Sequence, residues 1–361
     1  MVDALIAKNC RVKILDNLEP QTHPKGRPSW IPEEADLIIG SLQNWEDLEK
    51  ALKGVDFVFH QAAFTGSPVE VSKFLDANAT GTARMYEVIA RSHLPVRKIV
   101  VASSQAVYGE GKYRCRVHGV QYPETRPIEQ LIHGEWDPKC YACGEAMELL
   151  PTDEESPMNG STAYAISKVA EERIALSLGR KLNIPTVALR YAVTYGPRQS
   201  FSNIYAGVVS IFATRLANDL PPVIYEDGRQ MRDWIYVDDV VQANLFALKE
   251  ERMNYEAFNV ATGKATSVRQ IAKLLADYLN KEIQPRIRGE FRPEDIRHLL
   301  PDITKLKSVG FEAKVSLPDG LRKYMKWFEK LEHPKEYYSE AEETLKKTGI
   351  VEFSKKKGTV S

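Results

Sequence analysis

Tyr164 and Lys168 lie in the stretch STAYAISKVAEERIALSLGR, Ser161–Arg180, and their spacing of four makes them neighbours one turn apart on a helix. A phenol with a reference pKa of ~10 is a poor base, but an ammonium held within a few ångströms favours the phenolate. Each unit of downward shift requires about 1.4 kcal/mol of differential interaction. The pair is therefore a candidate acid/base catalyst for work near neutrality. Taken alone, the same spacing also fits an ordinary surface pair. A second constellation is Cys115-x-x-His118 followed by Cys140-x-x-Cys143-Gly144, with 21 residues between His118 and Cys140. Two close ligand pairs at this separation suit a tetrahedral Cys3His zinc site made from two knuckles. Reduced surface thiols and a redox CxxC are the alternatives.

These side chains need elements to position them. Ser161 or Thr162 can cap the Tyr164 helix, and Glu171 and Glu172 are expected on the other side of the turn from the lysine. Met1–Lys8 reads as the latter part of a helix and Arg11–Asp16 as a strand ending in an acid. In a dinucleotide-binding βαβ unit, an acid at the end of the second strand receives the ribose hydroxyls, about 20 residues after a glycine fingerprint. Asp16 and the following Asn17 are thus candidate cofactor contacts; a solvated strand end starting a turn is the plainer alternative. No G-x-x-G-x-x-G occurs in the chain. The expectation is an N-terminally incomplete chain, with roughly 20 residues carrying a first strand and a Gly-rich turn before Met1. Ala35–Gly40 reads as a strand, Trp45–Leu52 as a helix, and Val55–Ala63 as a buried strand whose small Ala62 and Ala63 let backbone approach a pyrophosphate. Asn78–Arg91 has helical apolar spacing, and Arg97–Gly109 is an apolar run ending in hydroxyl residues and a glycine turn.

The segments SSQAVYG, YAISK, LRYAVTYGPRQ, RDWIYVDDVVQA, FNVATG and RPEDIRH, between Asp16 and about Glu329, resemble in wording and order the extended short-chain dehydrogenase/reductase family. They resemble in particular its NAD-dependent nucleotide-sugar epimerases and dehydratases, and among these most closely the dTDP-L-rhamnose 4-epimerases and related enzymes. The resemblance implies an α/β fold: a doubly wound, mostly parallel Rossmann-like sheet lacking its first strand, with a smaller C-terminal α/β substrate domain. It implies an NAD-binding domain over 1–180, with 110–155 an insert, and a substrate-binding domain over 181–330 whose strands return to the first. A charged helix and tail without readable function follow at 331–361. By resemblance Ser104, Tyr164 and Lys168 are catalytic, Asp16, Asn17, Ala62, Ala63, Asn78, Tyr164 and Lys168 contact NAD, and Tyr205, Arg232, Arg292 and Asp295 contact a nucleotide-sugar. It further implies a homodimer built on the Asn78–Arg91 and Tyr164 helices. Sugar dehydratases place an Asp-Glu pair directly after the catalytic hydroxyl, where this chain has Gln105-Ala106, so inversion at C4 is the expected chemistry. Another NAD-dependent dehydratase or decarboxylase, or a catalytically silent sugar-nucleotide binder, are the rivals.

Composition narrows the field. The 361 residues can bury a large core, and 49 basic against 49 acidic residues give no electrostatic case for a nucleic-acid or anionic-membrane partner. No apolar run approaches 18 residues and no signal-peptide layout opens the chain, so a cytoplasmic location is expected. Four cysteines do not make a disulfide framework; Cys10 reads as a small buried apolar residue.

Overall fold

The computed structural model describes residues 1–203, 207–332 and 334–355. In chain order the strands are β1 (Lys13–Asp16), β2 (Asp36–Ile39), β3 (Phe57–His60), β4 (Lys98–Ser104), β5 (Lys112–Cys115), β6 (Gly119–Gln121), β7 (Glu148–Leu150) and β8 (Thr186–Tyr191). They continue as β9 (Val193–Tyr195), β10 (Val223–Ile224), β11 (Met231–Tyr236), β12 (Ala257–Val260), β13 (Ala265–Ser267), β14 (Arg286–Ile287), β15 (Glu290–Phe291) and β16 (Glu352–Phe353).

The centre is a parallel sheet in the order β12-β8-β4-β3. Successive side chains of a strand face opposite ways, and β4 buries both faces. Ile99 and Val101 pack with Met85, Val88 and Ile89 of the Gly81–Arg91 helix, while Val100 packs with Val187, Leu189 and the Val240–Ala243 turn of the Val237–Lys249 helix. Helices therefore cover both faces, which is why the strand reads as an unbroken apolar run. β1 and β2 pair in parallel as a separate ribbon. Among the described residues no strand bonds to the other edge of β1 or of β3. No residue of β1 is buried, and Phe57, expected inside a buried strand, is 38% exposed because β3 is laddered on one edge only.

In the C-terminal half β11 runs parallel to β9 and antiparallel to β13, over a core that includes Phe212, Trp234, Leu275, Tyr324 and Phe328. The expected charged helix forms at Tyr338–Lys347, and one expectation, that of Cys10, needs correction. The C-terminal stretch is docked through Lys355: Tyr338 and Leu345, seven apart on one helix face, pack with Val223 and Val351, and β16 pairs with β15. The Lys355 amide then donates to the Ile132 carbonyl at 2.7 Å. Cys10 is exposed, because it follows the short Val2–Ile6 helix in a surface turn. No helix of the described residues is long and apolar enough to cross a membrane.

Candidate active site and the Cys/His insert

Thr162, of the two possible caps, begins the Ala163–Leu182 helix, its hydroxyl accepting the Ala165 amide at 3.0 Å. The helix ends where Asn183 turns left-handed (φ 55°). Ser104 ends β4 and caps the short turn Gln105–Tyr108 by accepting the Ala106 amide at 3.1 Å. That bond leaves the Ser104 hydroxyl proton free to donate. The turn and the approach to the helix touch backbone to backbone: the Gly160 amide donates to Val107 O at 2.9 Å, and a Cβ on Gly160 would lie 2.6 Å from Ala106 O. Gly109, at φ +64°, is pressed likewise against Asn159 O. Two glycines thus let the Ser104 turn dock beside the start of the Tyr164 helix. Behind them Glu172 accepts from Ser103 Oγ (2.6 Å) and in bidentate fashion from Arg190, whose Nη1 also donates to the Tyr108 hydroxyl at 2.8 Å. This buried network fixes helix, β4 and β8 against one another.

Tyr164 is half-buried with its ring edge-on to Phe74 at 6.2 Å. Lys168 is 2% exposed; its Nζ donates to Ala102 O at 2.7 Å and lies 2.6 Å from Glu171 Oε2. The expectation that both glutamates avoid the lysine therefore holds for Glu172 and fails for Glu171, because an i,i+3 step returns to the same helix face. Glu171 Oε1 is 3.7 Å from His60 Nε2, and the ring nitrogen bonds Thr82 Oγ1 at 2.7 Å. Burial, aided by the Lys168 charge, holds the His60 imidazole down to about 3, so it is neutral. Burial pushes the Glu171 carboxyl up to about 7 against the opposing pull of Lys168.

A cleft of about 360 Å³ lies at the ends of β1 and β3. Asp16, Asn17, Ala62 and Ala63 line it together with Ser41, Lys73 and Asn203. Asp16 Oδ1 accepts the Leu18 amide and Asn17 Oδ1 the Glu19 amide, so both side chains also shape the turn. Asn78, expected at the cofactor, is fully buried behind this wall in a single π-helical stretch, Leu75–Thr80. It accepts the Phe64 amide (2.7 Å) and donates to Ser167 Oγ (2.9 Å), fastening the 62–66 loop to the Tyr164 helix. Tyr205 lies outside the described residues.

In the insert, β5, β6 and β7 form an antiparallel sheet that gathers the four expected ligands, all ligand atoms lying within 4.8 Å of one another. Cys115 Sγ is 3.7 Å from Cys143 Sγ and 3.6 Å from His118 Nδ1, and Cys140 Sγ is 3.4 Å from the same nitrogen. Tetrahedral bonds of ~2.3 Å to sulfur and ~2.0 Å to nitrogen put ligand atoms about 3.5–3.8 Å apart, close to these three separations. Burial raises the Cys140 thiol, but the amides of Cys143 and Ala142 and the Gln121 side chain outweigh it and bring it to about 6.

Arg232 and Arg292 are both turned into the protein. Arg232 donates to Ile296 O (2.5 Å) and Arg297 O (2.9 Å), while Arg292 stacks on the Tyr225 ring at 4.9 Å. Asp295 supplies favourable charge to both. Beneath this 292–298 segment lies an ionic lattice that sequence reasoning missed. Arg126 bonds Glu110 (3.1 Å), Glu226 (2.9 Å) and Asp295 O (2.5 Å). Arg297, 1% exposed, bonds Glu226 (2.8 Å), Asp227 (2.7 Å) and Asp137 (2.8 Å), and its amide donates to Glu110 (2.7 Å). The lattice joins the insert to residues 226–297 of the C-terminal half, and nothing in local spacing announces it.

Comparison with known proteins agrees with this architecture. The NAD dependent epimerase/dehydratase family matches residues 1–130 and 140–261. The dTDP-L-rhamnose 4-epimerase of Burkholderia thailandensis is 31% identical over 336 residues, covering 90% of each chain. The UDP-glucose 4-epimerase of Thermotoga maritima, solved with UDP-glucose, superposes with a TM-score of 0.75 at 29% identity, covering 91% of this chain and 94% of that one. The Thermus thermophilus UDP-glucose 4-epimerase, solved with NAD, gives 0.70 at 26% identity over 92% and 95%. With a doubly wound parallel sheet, a tyrosine and lysine one turn apart beside a capping serine, and a match over most of its length, the chain belongs to the NAD dependent epimerase/dehydratase family.

Proposed function

We propose that the chain is an NAD-dependent 4-epimerase of a dTDP- or UDP-hexose. The observation that carries this is the docking of the Ser104 turn beside the start of the Tyr164 helix, with Lys168 buried one turn along. Residues 1–180 form the cofactor half and 181–330 the substrate half in this reading. Asp16 would receive the adenosine ribose hydroxyls, with Asn17, Ala62 and Ala63 walling the cleft. When bound, NAD supplies a hydride acceptor at C4 of the sugar. Tyr164 takes the O4 proton, Ser104 donates to that oxygen as it becomes a carbonyl, and Lys168 favours the phenolate. The 4-keto sugar turns over before it is reduced on its other face. Gln105-Ala106 offers no acid/base pair for eliminating water, which supports epimerisation over dehydration. Arg232 and Arg292 are assigned to the diphosphate, and Asp295 and Tyr205 to the nucleotide. The test is chromatographic: protein given NAD and a dTDP- or UDP-hexose should convert it to the C4 epimer, and no conversion of any such hexose would refute the reading.

Zinc in the insert is part of the proposal, supported by the ligand spacings above. Metal analysis should return about one zinc per chain, and Cys140→Ser with Cys143→Ser should loosen the insert before the central sheet; protein purified without chelator that lacks stoichiometric metal contradicts this. A homodimer is supported by exposed Ile166 on the Tyr164 helix and exposed Val71 and Leu75 on the turns that lead into the Gly81–Arg91 helix. Sedimentation should give twice the chain mass, and Ile166→Glu should shift it toward the monomer.

A further inference from the structure

We propose that Glu171 is a positioning residue that sets how much of the Lys168 charge reaches Tyr164. The inference rests on the catalytic reading of Tyr164 and Lys168 above. Tyr164, Lys168 and Glu171 follow one another at steps of four and three, so the lysine stands between phenol and carboxylate on one helix face. The Glu171 side chain is 0% exposed; among the described residues neither of its oxygens has a hydrogen-bond partner, and its Oε2 lies 2.6 Å from the Lys168 amine.

The surrounding groups leave the lysine as the cation in contact. From β3, His60 faces Glu171 at 3.7 Å. Thr82, on the Gly81–Arg91 helix, spends its hydroxyl proton on Asn78 O (2.6 Å), so the 2.7 Å bond between Thr82 Oγ1 and His60 Nε2 requires the nitrogen to donate. His60 therefore carries its proton on Nε2 and, held neutral by burial, brings no charge. From β8, the Tyr191 hydroxyl is engaged with Gln61 and Asn244. On the same helix Glu172 is already matched by Arg190. Glu171 thus has one counter-charge, the amine assigned to keep Tyr164 acidic. An ionised Glu171 cancels much of that amine's field, whereas a protonated Glu171 leaves it directed at the phenol. Because burial brings the Glu171 carboxyl up to about 7, both forms are populated near neutrality.

The sign of the effect separates this role from a merely structural ion pair. Glu171→Gln keeps shape and an acceptor oxygen but removes the negative charge, so Tyr164 should become more acidic. In tyrosine labelled with carbon-13 at Cζ, the resonance that Tyr164→Phe abolishes should titrate about one pH unit lower in Glu171→Gln than in wild type, the size expected for removing a unit charge two helical turns away at moderate dielectric. Glu171→Asp, which keeps the charge, should titrate nearer to wild type. The acid limb of turnover should move down with the resonance. A Tyr164 resonance unmoved by Glu171→Gln overturns the proposal. Should that variant fail to fold, the wild-type resonance decides: it must show an inflection where glutamate-labelled Glu171 ionises, and a single featureless step overturns the proposal equally. Failure of the catalytic reading looks different, as undiminished turnover in Tyr164→Phe with the Tyr164–Glu171 coupling intact.

Discussion

Tyr164→Phe is expected to lower epimerisation turnover by about 10²–10⁴-fold in protein supplied with NAD, since positioned acid/base groups contribute on that scale. The ring itself is retained, so its edge-on packing with Phe74 and the Thr162-capped helix should survive. Nucleotide-sugar affinity should stay close to wild type, because the hydroxyl acts on a proton in flight and the diphosphate is assigned to Arg232 and Arg292 instead. The informative measurement is kcat and KM determined separately. A fall confined to KM, or turnover near the wild-type rate, would remove Tyr164 from the chemistry. Arg232→Ala should give the opposite split, weakening nucleotide binding; since its guanidinium also holds Ile296 O and Arg297 O, some loss of order in that segment should accompany it.

The largest stability effect is expected at Arg297. Replacing it with Met keeps much of the volume but strands Glu226 with Arg126 alone and leaves Asp227 and Asp137 without their guanidinium. Removing one partner of a buried ionic cluster costs about 3–5 kcal/mol, a large share of a typical 5–15 kcal/mol. Urea unfolding should show it as a lower midpoint. The pH dependence has a definite sign. Burial raises the Glu226 carboxyl, and its arginines do not fully offset this; with Arg297 gone it rises further, so its ionisation costs more stability as pH climbs. Burial also raises Asp227, but its bonds to Arg297 outweigh it and hold it below the ordinary range. It therefore stabilises wild type above that range, and this advantage fades as pH falls through the lowered value. Both effects make the difference between variant and wild type grow from acid toward neutral pH. A difference constant across that range, or below about 1 kcal/mol, would mean that the lattice behaves as exposed ion pairs do.

What the sequence made legible follows from what is local. The apolar runs of β3 and β4 and the helix Trp45–Leu52 were readable because burial repeats with the backbone's own period. The Cys115, His118, Cys140 and Cys143 cluster was readable because two tight ligand pairs need only one β-turn each and one sheet to meet. The failures are tertiary. Asn78 looks like any polar residue at the start of a helix; only the returning 62–66 loop converts it into a fastener. Arg126 and Arg297 sit in ordinary polar surroundings along the chain, and their carboxylates come from segments before and between them. Glu171 is the exception, since its step of three from Lys168 was visible and was assigned to the wrong side of the turn. The C-terminal helix was legible as a charged helix, but its docking was not, because many charges mask the two apolar positions that hold it.

The path of the chain through the central sheet bears on how the molecule comes apart. β8 enters between β4 and β12, yet both β8 and β12 come from the sequence after residue 180, the half assigned to the substrate. Ile99 is bonded in register to Thr186, and Leu189 to Phe258. The two halves therefore share one hydrogen-bonded ladder and one apolar layer, and neither can melt while the other stays intact. Unfolding should be a single cooperative event in spite of the two functional territories, and a nick in the surface turn after Leu182 should leave both pieces associated until that event. Assembly is correspondingly slow, because a ladder closed between distant stretches must wait for the loops between them to be drawn in.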